Sequence, residues 1–167
     1  MNYQNIIDQY YSEENALRRI LLVHSRQVTE RALRIADAHP ELAIDRPFVQ
    51  EAAMLHDIGI FICHGRLGAE LLRQAGYPRH ARVCERHTGA GLTKAEIVAQ
   101  HLPIPAQDFL PETLEERLIC YADKFYSKSH LDRVKTPEQT ERSLSKFGQE
   151  GVARFRQWRQ LFEPDTL

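Results

Sequence analysis

Apolar residues recur at three- and four-residue spacing over most of the chain, and the strict alternation of a half-buried strand is not found. Leu17, Ile20, Leu21, His24, Val28 and Leu33 fall on one stripe. Ser12 followed by Glu13 and Glu14 predicts the start of that helix, with a capping hydroxyl and acids in the electropositive first turn. His39-Pro40 predicts its end. Asp45-Arg46-Pro47 predicts a second helix through Ala52, Ala53, Leu55 and His56, with Gly59 as the break. Thr93 with Glu96, Thr113 with Glu116 and Thr136 with Gln139 have the spacing of capping boxes, so three further helices are expected to start there. Gly89-Ala90-Gly91 and the proline-rich stretch 102–111 predict loops. Leu144, Phe147, Val152, Phe155, Trp158 and Phe162 predict an apolar stripe on two C-terminal helices over 136–162. These signals point to one all-α domain over residues 1–167, with about six or seven helices.

Composition supports a folded core. The chain has 167 residues, 43% of them apolar and 27% charged, so it needs no disulfide or zinc staple. The net charge is −1 and no block of like charge occurs, which argues against a nucleic-acid partner. A small anionic substrate remains compatible, because a local metal or arginine cluster outweighs a neutral total. Cys63, Cys84 and Cys120 are too widely spaced for a disulfide framework or a cysteine-rich zinc module. The first residues lack the basic and apolar regions of a signal peptide, and the apolar runs are too short for a bilayer span. A cytoplasmic protein without a membrane partner is expected.

Eight histidines are present, and three acid–histidine positions stand out. His24 lies on an apolar stripe, where an imidazole needs a polar partner. A backbone carbonyl would suffice there. His56-Asp57 places an imidazole and a carboxylate at one helix end, a pair suited to zinc, iron or manganese. Asp123 has Ile119, Cys120 and Tyr126 along its face, and a carboxylate in such surroundings needs a cation. Lys124 leaves the helix about 100° away and is not expected to be that cation. A metal or an arginine remains.

His24, then Leu-His-Asp-Ile-Gly around His56 and Asp57, then Tyr-Ala-Asp-Lys around Asp123, resemble the HD-domain superfamily, whose signature is H…HD…D. The resemblance implies an all-α HD domain with a motif core at about 20–128 and the helices of 136–162 packed on it. It also implies a metal held by His24, His56, Asp57 and Asp123. His64 in His-Gly-Arg-Leu-Gly-Ala and His87 in Glu-Arg-His-Thr-Gly resemble the additional histidines of the branch with two metals, which includes bacterial HD-type dinucleoside tetraphosphate hydrolases. That resemblance implies two divalent transition-metal ions (iron, manganese, nickel, cobalt or zinc), with Asp57 bridging them as the catalytic carboxylate. His39, His80, His101 and His130 are expected to be structural or surface residues.

Such a site implies a phosphohydrolase acting on a nucleotide or other small phosphoester through metal-activated water. Arg66, Arg82, Arg86 and Lys124 are the candidate phosphate contacts. Ile60 stands where many HD hydrolases carry a basic residue, and the Gly-Tyr-Pro motif of cyclic-dinucleotide phosphodiesterases is read as missing, so that subclass is not expected. Two other readings fit the same ligands: a di-iron oxygenase of this fold, and a metal-bearing nucleotide sensor without turnover. The C-terminal aromatic stripe is expected to be core, and a homodimer through it is a further option.

Overall fold

The computed structural model describes residues 1–59 and 64–164. Nine α-helices and no strand occur among them: α1 Tyr3–Tyr10, α2 Ala16–Ala38, α3 Arg46–Leu55, α4 His64–Gln74, α5 Pro78–Arg86, α6 Lys94–Ala99, α7 Leu114–Asp123, α8 Pro137–Ser145 and α9 Gln149–Phe162. The all-α reading holds, with more helices than the six or seven expected.

All three capping boxes form. Thr93, Thr113 and Thr136 each accept from the backbone N–H three residues on, and Glu96, Glu116 and Gln139 accept in return from the cap backbone. Asp45 caps α3, accepting from Phe48 N at 3.1 Å. The start of α2 differs from expectation. Asn15, not Ser12, is the cap, accepting from Arg18 N at 3.0 Å, while Glu14 pairs with Arg18 Nε at 2.9 Å. The helix therefore starts later, and Leu17 is 43% exposed. The stripe it buries runs through Leu21, His24, Val28, Ala32 and Ile35. The eight-residue α1 went unpredicted because only Ile6 and Ile7 on it are buried.

The core divides into two apolar clusters. One joins Val28 and Ala32 of α2 with Val49 and Ala53 of α3, Ile119 and Tyr121 of α7, and Phe155 and Phe162 of α9. Within it Tyr121 stacks on Phe155, ring centroids 5.1 Å apart. The other joins Ile7 of α1, Leu21 of α2, Leu55 of α3, Ala69 and Leu72 of α4, and Cys84 of α5. The C-terminal stripe is core with one exception. Phe147 is 67% exposed, because the chain turns at Lys146–Gly148 and carries it off the shared face.

Helices α4 and α5 pack tightly across a turn made by Gly76-Tyr77-Pro78. Tyr77 N donates to Leu72 O at 2.7 Å, Gly76 takes φ +86°, and Pro78 starts α5 where no N–H is needed. The helix contact is close enough to require glycine: a Cβ on Gly65 would lie 1.9 Å from the Cys84 carbonyl oxygen.

Candidate metal centre

The two apolar clusters meet along a seam, and the titratable residues occupy it. On α2, His24 lies between Leu21 of one cluster and Val28 of the other. His56 caps the C-terminal end of α3 and Asp57 follows it in the turn. His87 caps the C-terminal end of α5, and Asp123 is the last residue of α7. Four helix ends or faces thus deliver polar groups to one place, and every one of these residues is buried.

The geometry is convergent. His24 Nε2 lies 2.9 Å from Asp123 Oδ1 and 3.2 Å from Asp57 Oδ2. His56 Nε2 lies 3.4 Å from both of those oxygens. One ligand atom from each of the four falls within 4.8 Å of all the others. His56 Nδ1 donates to Ala53 O at 2.7 Å, and His87 Nδ1 donates to Cys84 O at 2.7 Å. A carbonyl only accepts, so both rings aim Nε2 at the carboxylates. His87 Nε2 stands 3.2 Å from Asp57 Oδ1, on the other side of that carboxylate.

The fit of a cation can be tested on these contacts. His56 Nε2 and Asp57 Oδ1 are buried and make no aligned hydrogen bond, although nitrogens and oxygens lie at 3.2–3.4 Å. Buried polar atoms are rarely left so. His56 Nε2 points with His24 Nε2, Asp57 Oδ2 and Asp123 Oδ1 at one small space, while Asp57 Oδ1 points away from it toward His87 Nε2. Two imidazoles and two carboxylates around such a space form a suitable shell for a divalent transition metal.

Electrostatics agree. Burial disfavours the charged form of His56, but Asp57 and Asp123 override it and raise its pKa to about 10. Burial pushes the Asp57 carboxyl up, yet His56, His24 and His87 hold it well below the usual range. Asp123 is likewise raised by burial and lowered further by Lys124 and the histidines. Burial lowers His87 despite Asp57. The site is built for positive charge between two ionised carboxylates.

Two lysines approach those carboxylates. Lys124 Nζ lies 2.5 Å from Asp123 Oδ2 and donates to His87 O at 2.9 Å, which corrects the expectation that it cannot reach its neighbour. It sits at the C-cap, where its long chain folds back over the helix end. Lys128 Nζ donates to Asp57 Oδ2 at 2.8 Å. The sequence reading missed Lys128: it lies beyond the end of α7, where helical spacing no longer relates it to Asp123. Tyr11, also missed, donates to Ile58 O at 2.7 Å, and burial together with the Asp57 charge raises its pKa.

The other candidates are dispersed. Arg82 is held by Glu116 and Glu112, both at 2.7 Å. Arg86 is held by Leu110 O and by Glu112 at 2.7 Å. Neither guanidinium is free to grip a phosphate as placed. Arg66 is exposed and lines a cavity beside α5. The His64 side chain, Ile60 and Cys63 lie outside the described residues. His80 is buried and bonds Glu51 at 3.1 Å, against the edge of Phe48. His39 bonds Glu41 and Phe162 O. His101 and His130 are exposed. The reading of a missing Gly-Tyr-Pro motif is corrected: Gly76-Tyr77-Pro78 is present and forms the α4–α5 turn.

A family model described as "HD domain" matches residues 21–127, which include all five residues of the cluster. The chain is 39% identical over 121 residues to a tRNA (cytidine(56)-2'-O)-methyltransferase of Picrophilus torridus, covering 70% of this chain and 34% of that one. It is 38% identical over 124 residues to an uncharacterised protein of Methanocaldococcus jannaschii, covering 66% of this chain and 72% of that one. A Thermoplasma volcanium methyltransferase of the same name is 35% identical over 112 residues, 64% of this chain and 32% of that one. The chain thus spans about a third of the length of the methyltransferases it matches. No solved structure matches it.

Proposed function

The chain belongs to the HD-domain family, and from that premise we propose that it is a metal-dependent phosphohydrolase acting on a small phosphoester. The observation that carries the reading is the convergence of His24, His56, Asp57 and Asp123, one ligand atom of each within 4.8 Å of the others. His24, His56, Asp57 and Asp123 would hold one ion. Asp57 Oδ1, His87 and His64 would hold a second. A divalent ion in such a shell acidifies water toward neutrality and withdraws charge from a phosphoryl oxygen.

The protein's own groups supply the rest. Ala53 and Cys84 carbonyls fix the tautomers of His56 and His87. Asp57 presents one oxygen toward His24 and His56 and the other toward His87, which suits a carboxylate shared between two positions. Burial of the whole set keeps bulk water away and strengthens every charge in it. Lys124 and Lys128 balance the two carboxylates and would stand beside a phosphate bound at the centre. With Arg82 and Arg86 committed to glutamates, the phosphate contacts narrow to these lysines and Arg66.

The methyltransferase activity named for two relatives belongs to chains about three times as long as the shared segment. We therefore do not assign it to this segment. Nor is any helix among the described residues long and apolar enough to cross a membrane.

The test is a phosphatase screen over nucleotides, sugar phosphates and a generic phosphoester. It uses protein stripped with chelator and reloaded with manganese, iron, nickel, cobalt or zinc. Turnover that vanishes on stripping and returns on reloading is expected. Full turnover in stripped protein would sink the proposal, as would oxygen consumption without phosphate release.

A further inference from the structure

Lys124 follows the last residue of α7, and its ammonium touches both sides of the metal centre. Nζ stands 2.5 Å from Asp123 Oδ2 and donates to the His87 backbone carbonyl at 2.9 Å. The first contact divides the carboxylate. Asp123 Oδ1 faces His24 Nε2 at 2.9 Å and His56 Nε2 at 3.4 Å, while Oδ2 is taken by the lysine. Asp123 therefore cannot turn both oxygens toward one ion without giving up this ion pair. Both partners' side chains are only 11% exposed, and an ion pair so sheltered is costly to break.

The second contact anchors the turn that carries His87. Every carbonyl from residue 87 to residue 91 has a donor. His87 O accepts from Lys124, and Thr88 O accepts from the Gly91 N–H at 3.0 Å. Gly89 O lies 3.6 Å from the Cys120 thiol, a weaker donor. Ala90 O and Gly91 O accept from Arg154 of α9 at 2.8 and 3.0 Å. Two of these donors are charged and so hold more strongly, and Lys124 is the one placed on the residue whose ring faces Asp57 Oδ1. With Nδ1 held by Cys84 O at 2.7 Å, the ring and the peptide of His87 are each pinned.

We propose that Lys124 is a positioning residue that couples the two ion positions. It holds Asp123 to a single presented oxygen for the ion shared with His24, His56 and Asp57. It holds the His87 peptide so that the imidazole faces the second position. The inference rests on the two-ion site of the proposed function and not on the hydrolytic chemistry. An ammonium offers three N–H donors; two are spent in this way, and the third is left for a phosphate.

The two contacts have effects of opposite sign. Without the cation Asp123 is more negative, so the first ion should bind no more weakly than in wild type. Without the anchor the His87 peptide is free, so the second ion should bind about 10–100-fold more weakly, the usual effect of removing a group that orients a metal ligand. A general loosening of the fold would weaken both.

The experiment is a calorimetric titration of the chelator-stripped full chain with zinc, wild type beside Lys124→Met. Wild type should show two binding steps. The step that His87→Ala abolishes should be the one that Lys124→Met weakens, with the other unchanged or tighter. Lys124→Arg, which keeps donors for both acceptors, should restore the weakened step to within a few-fold. Nitrogen-15 spectra of the metal-free protein give a second reading: in Lys124→Met the His87 Nδ1–H signal should broaden while that of His56 persists. Equal weakening of both steps, no change in either, loss at the first step alone, or an unchanged His87 signal would overturn the coupling. So would a wild type that takes up a single ion. Should Lys124→Met fail to fold by circular dichroism, Lys124→Gln, too short to span both acceptors, carries the same expectations. Phosphoester turnover enters none of these readouts. The expected titration without any turnover would remove the hydrolase reading and keep the coupling.

Discussion

Lys128 donates to Oδ2 of Asp57 at 2.8 Å across 71 positions of sequence, and the same oxygen faces His24 and His56. The lysine therefore stands where a positive ion is wanted. Lys128→Gln should leave Asp57 with less compensation, costing the metal-free protein about 1–3 kcal/mol, the scale of a hydrogen bond to a charged group. It should also strengthen metal binding several-fold, because a competing cation is gone and the site is more negative. Melting in chelator and metal titration of variant and wild type read both effects. Weaker metal binding by Lys128→Gln would refute the competition.

Asp57→Ala should eliminate bound metal and reduce turnover to background while helical content is retained. Among the described residues, no other side chain offers oxygens toward both His56 and His87. Elemental analysis with circular dichroism decides it; wild-type metal content in this variant would remove Asp57 from the site.

His87→Ala separates one ion from two. It should take the metal content from two equivalents per chain to one, because His24, His56, Asp57 and Asp123 still form a shell. An unchanged count, with only substrate affinity altered, would place His87 outside the coordination sphere.

Metal uptake should release protons. The His56 pKa is raised to about 10 in the metal-free protein, so its imidazole is protonated at neutral pH. A metal ligand must be neutral, and that proton has to leave. Affinity should therefore rise with pH, up to about tenfold per unit, and level off near pH 10. Calorimetry in buffers of different ionisation enthalpy measures the released proton; identical heats in all buffers would contradict it.

Gly65→Ala should destabilise the fold by about 1–3 kcal/mol, the usual cost of overpacking. A Cβ there meets the backbone carbonyl of Cys84, which cannot move without disturbing the partner of His87. Thermal melting tests the stability loss, and a melting point equal to wild type would show that α4 and α5 can separate freely.

Much of this architecture was legible because its signals are local. A capping box needs four residues, and Thr93, Thr113 and Thr136 each formed one as read. The seam residues were legible for a different reason: His24 and Asp123 are polar groups on otherwise apolar helix faces. What could not be read depends on chain reversal. Lys128 reaches Asp57 only because the segment after α7 folds back. Arg82 and Arg86 look like free phosphate grips until Glu112 and Glu116 arrive from some thirty residues away. Asn15, not Ser12, caps α2, and spacing alone does not rank two capping side chains so close together.

The three capping boxes and the His24–Asp123 contact belong to different moments in the life of the chain. Helix starts at Thr93, Thr113 and Thr136 can form from a handful of adjacent residues. His24 and Asp123 are 99 positions apart, and bringing them together requires loop closure over most of the domain. The ion-binding shell is therefore among the last features to be completed during folding. A nascent or partly unfolded chain offers scattered histidines and acids rather than the assembled shell, so tight metal loading is reserved for molecules that have already folded.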